Sequence, residues 1–554
     1  MAFVERGRST EHLMGIGDRH EGDGWMAVCA LDEIESGRGV VRVVNGLDLA
    51  IMRDGDGSPD DAVHALGNLC PHRGGQLGDG KVVDGKAICP LHTWDFDLRT
   101  GVSPFNPADS VPTFPVRVRD GQVEVDASAV PLTAPRPPVY LGPWIRRGAT
   151  DRGMYLVQHL AEGAGAFVEA MGSERNEPGH DTGRRYPSYD DLVFRPAQLA
   201  QLPTMGDIPI DTTTVLGTGA TKPLTLDRPI FVSHMSFGAL SAESKEALAR
   251  GSAAAGTAIA SGEGGAHPRE RDNAAHYIFE MASGYFGWTE ENIQAADAIE
   301  IKLGQGAKPG LGGTLLGPKV TEEIAAIRGV APGTDVHSPA HFPDINSVAD
   351  LTHRVAEIKA LTGGTPVGIK FATGHVEADL AAAIEAGADW ITVDGLGGGT
   401  GAAPTHVKDN VGLPSITGIR RVRRWMESEG VTDVQLIATG GFRTPDEMAK
   451  ALALGADAVA LATTSLMAIG CQQYRACHRG TCPVGIATQD PNLRGRLDID
   501  VSAQRLTNYL VQCTNLMSDF VRVVGKTRLA DLDRHDLVAL DARLADHCDL
   551  EYAF

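Results

Sequence analysis

At ~100–200 residues per domain, a chain of 554 residues forms two to four domains, and its 42% apolar and 22% charged shares are those of folded cores rather than a disordered chain. The 71 acidic against 50 basic side chains, a formal charge of −21, repel phosphate backbones and anionic bilayers, so nucleic acid and membrane are poor partners. No apolar run approaches the ~20 residues of a membrane span and the opening residues lack the apolar stretch of a secretory signal, which makes the cytoplasm the expected location; there the eight cysteines stay reduced, and those that cluster point to metal ligation rather than disulfides.

Residues 1–24 read as a tail. From 25 to 128, short β-type runs (VVRVVNG, LDLAIM, AVHALG, QVEVD) are broken by Gly, Asp and Asn turns, the pattern of a small antiparallel β domain. Residues 129–150, with Pro131, Pro135, Pro137 and Pro138, show neither period and read as a stiff linker. Residues 151–224 are expected to pack around the domain that follows. From 225 to 500, strand-like runs at 229–236, 257–262, 298–304, 334–338, 366–372, 389–395, 434–441 and 457–463 alternate with amphipathic stretches such as SAESKEALARGSAAAG, DLTHRVAEIKALTGG and TPDEMAKALALGA. Eight such units predict an α/β fold of the (β/α)8 TIM-barrel type, with an open doubly wound sheet as the alternative. Residues 501–554 read as helices. Unusual residues gather where the strands end, at Ser236 to Gly238, Ser261 to Gly265, Gln305 to Gly313, Lys370, Gly398 to Gly401 and Gly440-Gly441. In a barrel these ends share one mouth, where the active site lies.

Two groups of cysteines carry metal chemistry. Cys70-Pro71-His72 and, sixteen residues on, Cys89-Pro90-Leu91-His92 place two thiolates and two imidazoles on paired loops, suited to zinc or to a Rieske 2Fe-2S centre. The segments CPHRGG and CPLHTWDFDLRTG resemble the Rieske ferredoxin family. By that resemblance Cys70 and Cys89 hold one iron, His72 and His92 the other, and the centre carries one electron at a time. Further on, Cys471, Cys477 and Cys482 form C-x5-C-x4-C, three thiolates able to bind zinc with a fourth ligand or a cuboidal iron–sulfur cluster.

Six blocks in order, MSFGALSAESKEALARG, SGEGGAHPR, IEIKLGQGAKPGLGG, GADWITVDGLGGGTGAAP, ATGGFRTPDEMAKALALGADAV and CHRGTCPVGIATQDPNLR, resemble the FMN-binding synthase domain of the glutamate synthases, closest to its short stand-alone members. The resemblance implies a 3Fe-4S cluster on Cys471, Cys477 and Cys482, with His478 available should a fourth iron be held. It also implies FMN in the barrel, bound by Met235, Ser236, Gln305 and Lys370, by Gly399 and Thr400, and by Gly440, Gly441, Thr463 and Thr464. The last four offer the late-strand backbone N–H groups that a flavin phosphate needs. Lys370 and Glu263 are the implied catalytic pair: the lysine a cation beside the flavin, the glutamate a carboxylate that orients or protonates an imine nitrogen.

The chain departs from the long synthases in three places. A Rieske-like module stands at the end where they carry a glutaminase, so free ammonia, an amine or a partner is the expected nitrogen source. Leu311 replaces Glu in their K-P-G-E-G-G, and Leu396-Gly397 replaces a His-Asp pair, which leaves 2-oxoglutarate a default acceptor only. The implied activity is that of an oxidoreductase acting on CH-NH2 donors. It aminates a 2-oxo acid with electrons passed from an external carrier or reductase through Rieske centre, 3Fe-4S cluster and FMN, since flavin joins one-electron carriers to hydride chemistry. Rieske potentials of ~−150 to +300 mV raise the alternative of an amine or amino-acid dehydrogenase that passes electrons outward. A pathway enzyme acting on a modified amino acid is a third reading, and a homo-oligomer is compatible with all three. His337, His341 and Asp344 could also mimic a two-His-one-carboxylate iron site, as in an oxygenase.

Overall fold

The computed structural model describes residues 24–55, 63–71, 75–90, 94–104, 110–131, 154–163, 188–401, 403–408, 410–473 and 477–554. The chain divides into two units, Met1–Pro143 and Trp144–Phe554.

The first unit is built from antiparallel strands. Gly39–Val44, Leu47–Arg53, Val63–Gly67 and Thr113–Phe114 form one sheet; Lys81–Val83, Lys86–Ile88 and Asp95–Asp97 form a second; and Trp25–Ala30, Gln122–Asp126 and Val116–Arg119 form a third. Three hairpins close on two-residue turns whose residues both adopt positive φ: Asn45-Gly46, Asp84-Gly85 and Asp120-Gly121. Asn or Asp followed by Gly tolerates that left-handed backbone, and its twist matches that of the flanking strands. Alternation along Leu47–Arg53 sends Leu49 and Ile51 into a core with Val123 and Val125, while Ala50 and Met52 join a core containing Leu77, Phe96, Cys70 and Cys89. This strand is therefore buried on both faces.

The second unit is a closed barrel of eight parallel strands: β1 (Ile230–Val232), β2 (Ala258–Ala260), β3 (His276–Met281), β4 (Ala298–Lys302), β5 (Val367–Ala372), β6 (Trp390–Asp394), β7 (Gln435–Thr439) and β8 (Ala458–Leu461), with β8 pairing back to β1. Phe231, Ile278, Trp390, Ile437 and small alanines fill the interior. A hairpin of Thr214–Leu216 and Leu224–Leu226 adds three leucines to that core, and Gly217 N donates to the side chain of Gln435, the first residue of β7 (2.7 Å), so the hairpin closes the N-terminal end. The opposite end is left open to the loops that follow the strands.

Seven of the eight expected strand runs contain barrel strands; the eighth does not. Val336–His337, inside the expected run 334–338, pairs antiparallel with Thr314–Leu315 outside the barrel, and His276–Met281 takes the barrel place. The β2–β3 connection holds only the one-turn helix Pro268–Arg271, so no amphipathic stretch announces β3, whereas 334–338 precedes a long amphipathic helix, Val348–Thr362.

The barrel helices start on local caps. Ser241 Oγ accepts from Ser244 N (3.2 Å) at the head of Ala242–Ala254, and Glu447 Oε2 accepts from Thr444 N (3.2 Å) at the head of Pro445–Ala453. The long helix Ile499–Val523 packs closely on Ala242–Ala254: a Cβ at Gly251 would stand 2.8 Å from Ala503 O. The C-terminal stretch, expected as helices, also carries strands Leu537–Ala539 and Glu551–Tyr552, which extend a small sheet begun by Leu192–Phe194. Among the described residues no helix is long and apolar enough to cross a membrane.

Candidate active site at the barrel mouth

The C-terminal ends of the strands open into a cavity of about 910 Å³. Met235 and Ser236 reach it after β1, Glu263 after β2, Gln305 after β4 and Lys370 from the end of β5. Gly399 and Thr400 reach it after β6, Gly440 and Gly441 after β7, and Thr463 after β8. Two of these positions need the absence of a side chain. A Cβ at Gly440, which has φ +110°, would stand 2.6 Å from the backbone of Gly395, and one at Gly399 would stand 2.4 Å from Thr463 Oγ1. The Thr464 side chain is fully buried, donating to Phe442 O and accepting from Arg443 Nη1 (3.1 Å), whereas the expectation for this residue concerns its backbone N–H.

Charged groups that sequence reasoning missed organise the floor. Lys302 Nζ, at the end of β4, bridges Glu263 Oε2 (2.9 Å) and Glu280 Oε1 of β3 (2.7 Å). Burial works against the charge on Glu263, but Lys302, with Lys308 and Arg328, outweighs it and holds the carboxyl below its ordinary range. Burial likewise opposes the Lys302 charge, yet Glu280 and Glu263 raise its pKa above that of a free lysine. Glu263 is therefore a carboxylate locked to an ammonium, better placed to accept a hydrogen bond than to give up a proton.

His234 Nε2 lies 3.4 Å from Glu300 Oε1 and 3.8 Å from Glu280 Oε2, distances that would make ion pairs if the ring were charged. Burial pushes its pKa down to about 3, so the ring is neutral and these are polar contacts. Glu300 also accepts from Trp390 Nε1 (3.0 Å) and Thr392 Oγ1 (2.5 Å). Lys370 Nζ stands 3.7 Å from Asp394 Oδ2, while the other oxygen of Asp394 is buried without a hydrogen-bond partner. Lys302 lies inside the quoted IEIKLGQG block and Asp394 inside TVDGLGGG, but Glu280 sits on the strand that was missed.

The three cysteines of the C-x5-C-x4-C loop line the same cavity, as does His478. Burial pushes the Cys471 thiol up to about 12, and Cys482 and Cys477 add to the rise, which places the three sulfurs within electrostatic reach of one another. Lys319 Nζ donates to Cys477 O (2.9 Å), anchoring the loop to the barrel. Among the described residues no three His, Cys, Asp or Glu side chains converge on a single-ion position. In a multi-iron cluster each cysteine meets its own iron, so its donor set need not converge on one point.

In the first unit Cys70 and Cys89 are each 1% exposed and share one core. Their loops are closed by Cys70 N donating to Gly75 O (2.9 Å) and Cys89 N to Trp94 O (2.8 Å). His72 and His92 lie outside the described residues. The oxygenase triad does not assemble: Asp344 accepts from Tyr285 OH (2.6 Å) and Arg354 Nη2 (2.8 Å), and His341 Nδ1 faces Phe342 O (2.8 Å). Leu311 is half exposed, whereas Leu396 lines the cavity.

Residues 183–527 match the family model described as the conserved region in glutamate synthase. The chain belongs to the glutamate synthase family. Residues 24–126 match a Rieske-like [2Fe-2S] domain, so the expected fusion of that domain to a glutamate-synthase-type barrel is met. A glutamate synthase large subunit-like protein of Rhizobium meliloti (strain 1021) is 38% identical over 387 residues, covering 66% of this chain and 88% of that protein. An archaeal-type glutamate synthase [NADPH] of Thermotoga maritima is 42% identical over 303 residues, covering 54% and 60%. An archaeal glutamate synthase [NADPH] of Methanocaldococcus jannaschii is 41% identical over 312 residues, covering 56% and 61%. The match thus spans about three fifths of the length of these archaeal-type glutamate synthases.

Proposed function

We propose that this glutamate synthase relative is a cytoplasmic iron–sulfur flavoprotein that reductively aminates a 2-oxo acid, by default 2-oxoglutarate to L-glutamate, with free ammonia or an amine. The observation that carries the reading is that the glycine turns after β6 and β7 and the three-cysteine loop open onto one cavity. The buried oxygen of Asp394 that has no hydrogen-bond partner lines this cavity and fits a polar group bound at the mouth.

In this reading FMN would be held by Met235, Ser236, Gln305, Lys370, Gly399 and Thr400, with backbone N–H groups of Gly440, Gly441, Thr463 and Thr464 offered to its phosphate. Cys471, Cys477 and Cys482 hold a 3Fe-4S cluster, and Cys70, His72, Cys89 and His92 hold the Rieske centre. Bound FMN supplies the exchange between single electrons and a hydride. The protein's own residues do the rest. Lys370 sets a positive charge at the end of β5. Lys308 and Arg328, both lining the cavity beside Glu263, give an acidic substrate a carboxylate anchor. Glu263, kept ionised by Lys302, accepts a hydrogen bond from the substrate nitrogen and fixes its approach. Electrons come from an external carrier or reductase.

The test is anaerobic. The purified enzyme is reduced stoichiometrically, 2-oxoglutarate and ammonia are added, and flavin reoxidation is followed together with glutamate formation. Rapid reoxidation with glutamate formed is expected; no reoxidation would remove 2-oxoglutarate as the substrate. The Rieske domain itself favours a second reading, an amine or amino-acid dehydrogenase that sends electrons outward, because Rieske centres lie at ~−150 to +300 mV. Midpoint titration separates the two: a Rieske centre far above FMN assigns the outward direction.

A further inference from the structure

Behind the cavity lies a buried ion pair. Lys245, on the helix Ala242–Ala254, is 1% exposed, and its partner Glu270 is wholly buried. An ammonium has three protons to donate. Here they meet three acceptors: Met235 O (2.6 Å), Ser261 O (2.8 Å) and the Glu270 carboxylate, which also accepts from Tyr277 OH (3.2 Å).

The two carbonyls belong to the loops after β1 and β2, and these loops touch backbone to backbone. Gly262 has φ +78°, and a Cβ there would stand 2.6 Å from Met235 C and from Ser236 N. Both loops face the cavity, one through Met235 and Ser236, the other through Gly262 and Glu263. For stability alone, an apolar pair of similar volume serves as well as a buried ion pair, because desolvation cancels most of the Coulomb gain. No apolar side chain, however, can donate to both carbonyls at once.

We propose that Lys245, held by Glu270, is a positioning residue that fixes the loop carrying Met235 and Ser236 against the loop carrying Glu263. It thereby sets where the flavin lies relative to that carboxylate. This inference rests on the flavin reading of the cavity.

The test uses the full-length holoenzyme, with FMN affinity measured from flavin fluorescence on dilution, the visible circular dichroism of bound flavin, and Tm. Lys245→Met is expected to weaken FMN binding at least about tenfold, the weight of roughly one charge-assisted hydrogen bond, and to change the flavin dichroism. Should that variant fail to accumulate, Lys245→Met with Glu270→Gln removes both charges, keeps an acceptor for Tyr277, and undergoes the same measurement. Glu270→Gln alone is expected to lower Tm yet hold FMN within about threefold of wild type, because a neutral amine still has two N–H groups for the two carbonyls. A folded lysine variant with wild-type affinity and dichroism overturns the proposal, as does a Glu270→Gln variant that loses as much affinity as Lys245→Met. Wild-type enzyme that binds no FMN would instead overturn the reading of the cavity itself.

Discussion

Gly313→Ala should displace the proposed catalytic carboxylate without altering it. A Cβ at Gly313 would stand 2.0 Å from Glu263 Oε1 and 2.7 Å from its Cδ. The loop has little room to withdraw, because Gly313 O accepts from Ser338 N (2.9 Å) and a Cβ at the neighbouring Gly312 would already meet Ser338 O at 2.1 Å. To regain an ordinary contact of 3.4 Å Oε1 retreats by about 1.4 Å, and a carboxylate displaced that far takes Oε2, 2.9 Å from Lys302 Nζ, out of hydrogen-bond range. A shift on the order of 1 Å in a group that positions substrate costs ~10²-fold in rate. Anaerobic steady-state kinetics on flavin-loaded enzyme should show kcat/KM reduced by about that factor, and by no more than Glu263→Gln reduces it. A folded, flavin-loaded Gly313→Ala enzyme within threefold of wild type would refute the reasoning, since the clash would then be relieved elsewhere than at Glu263.

Cys471→Ser should abolish the second iron–sulfur signal in low-temperature paramagnetic resonance and leave the Rieske signal intact; loss of both would contradict two independent centres. Acid stability should report on His234. Its folded pKa of about 3 lies below the ~6.5 of an unfolded histidine, so between those values the unfolded chain takes up a proton that the native ring refuses. Stability present at neutral pH is therefore lost as the pH falls from 6.5 toward 3, by about 2 kcal/mol at pH 5 from this group alone. Chemical denaturation at pH 7 and pH 5 should show a smaller loss in His234→Gln, and an unchanged loss would remove the histidine from the account.

Cys70-x-His72 with Cys89-x-x-His92, the C-x5-C-x4-C loop and the Gly, Asp and Asn turns of the β domain were all legible in the chain, because each is settled by residues a few positions apart. Legibility failed where the usual signal was missing. The strand His276–Met281 was passed over because no amphipathic helix precedes it and because it carries Glu280, a buried charge that reads as noise against an apolar pattern.

The sequence by itself determined the two kinds of domain, the repeating barrel and the cysteine and histidine spacings, since periodicity and local turn chemistry are written in consecutive residues. Only the tertiary structure decided that Lys302 joins Glu263 to Glu280, that Lys245 reaches from its helix to the carbonyls of Met235 and Ser261, and that the cysteine loop shares a cavity with the strand ends. Those contacts unite groups from separate strands and loops. Barrel closure sets their distances and burial sets their charge states, and neither quantity has a period that a one-dimensional pattern can display.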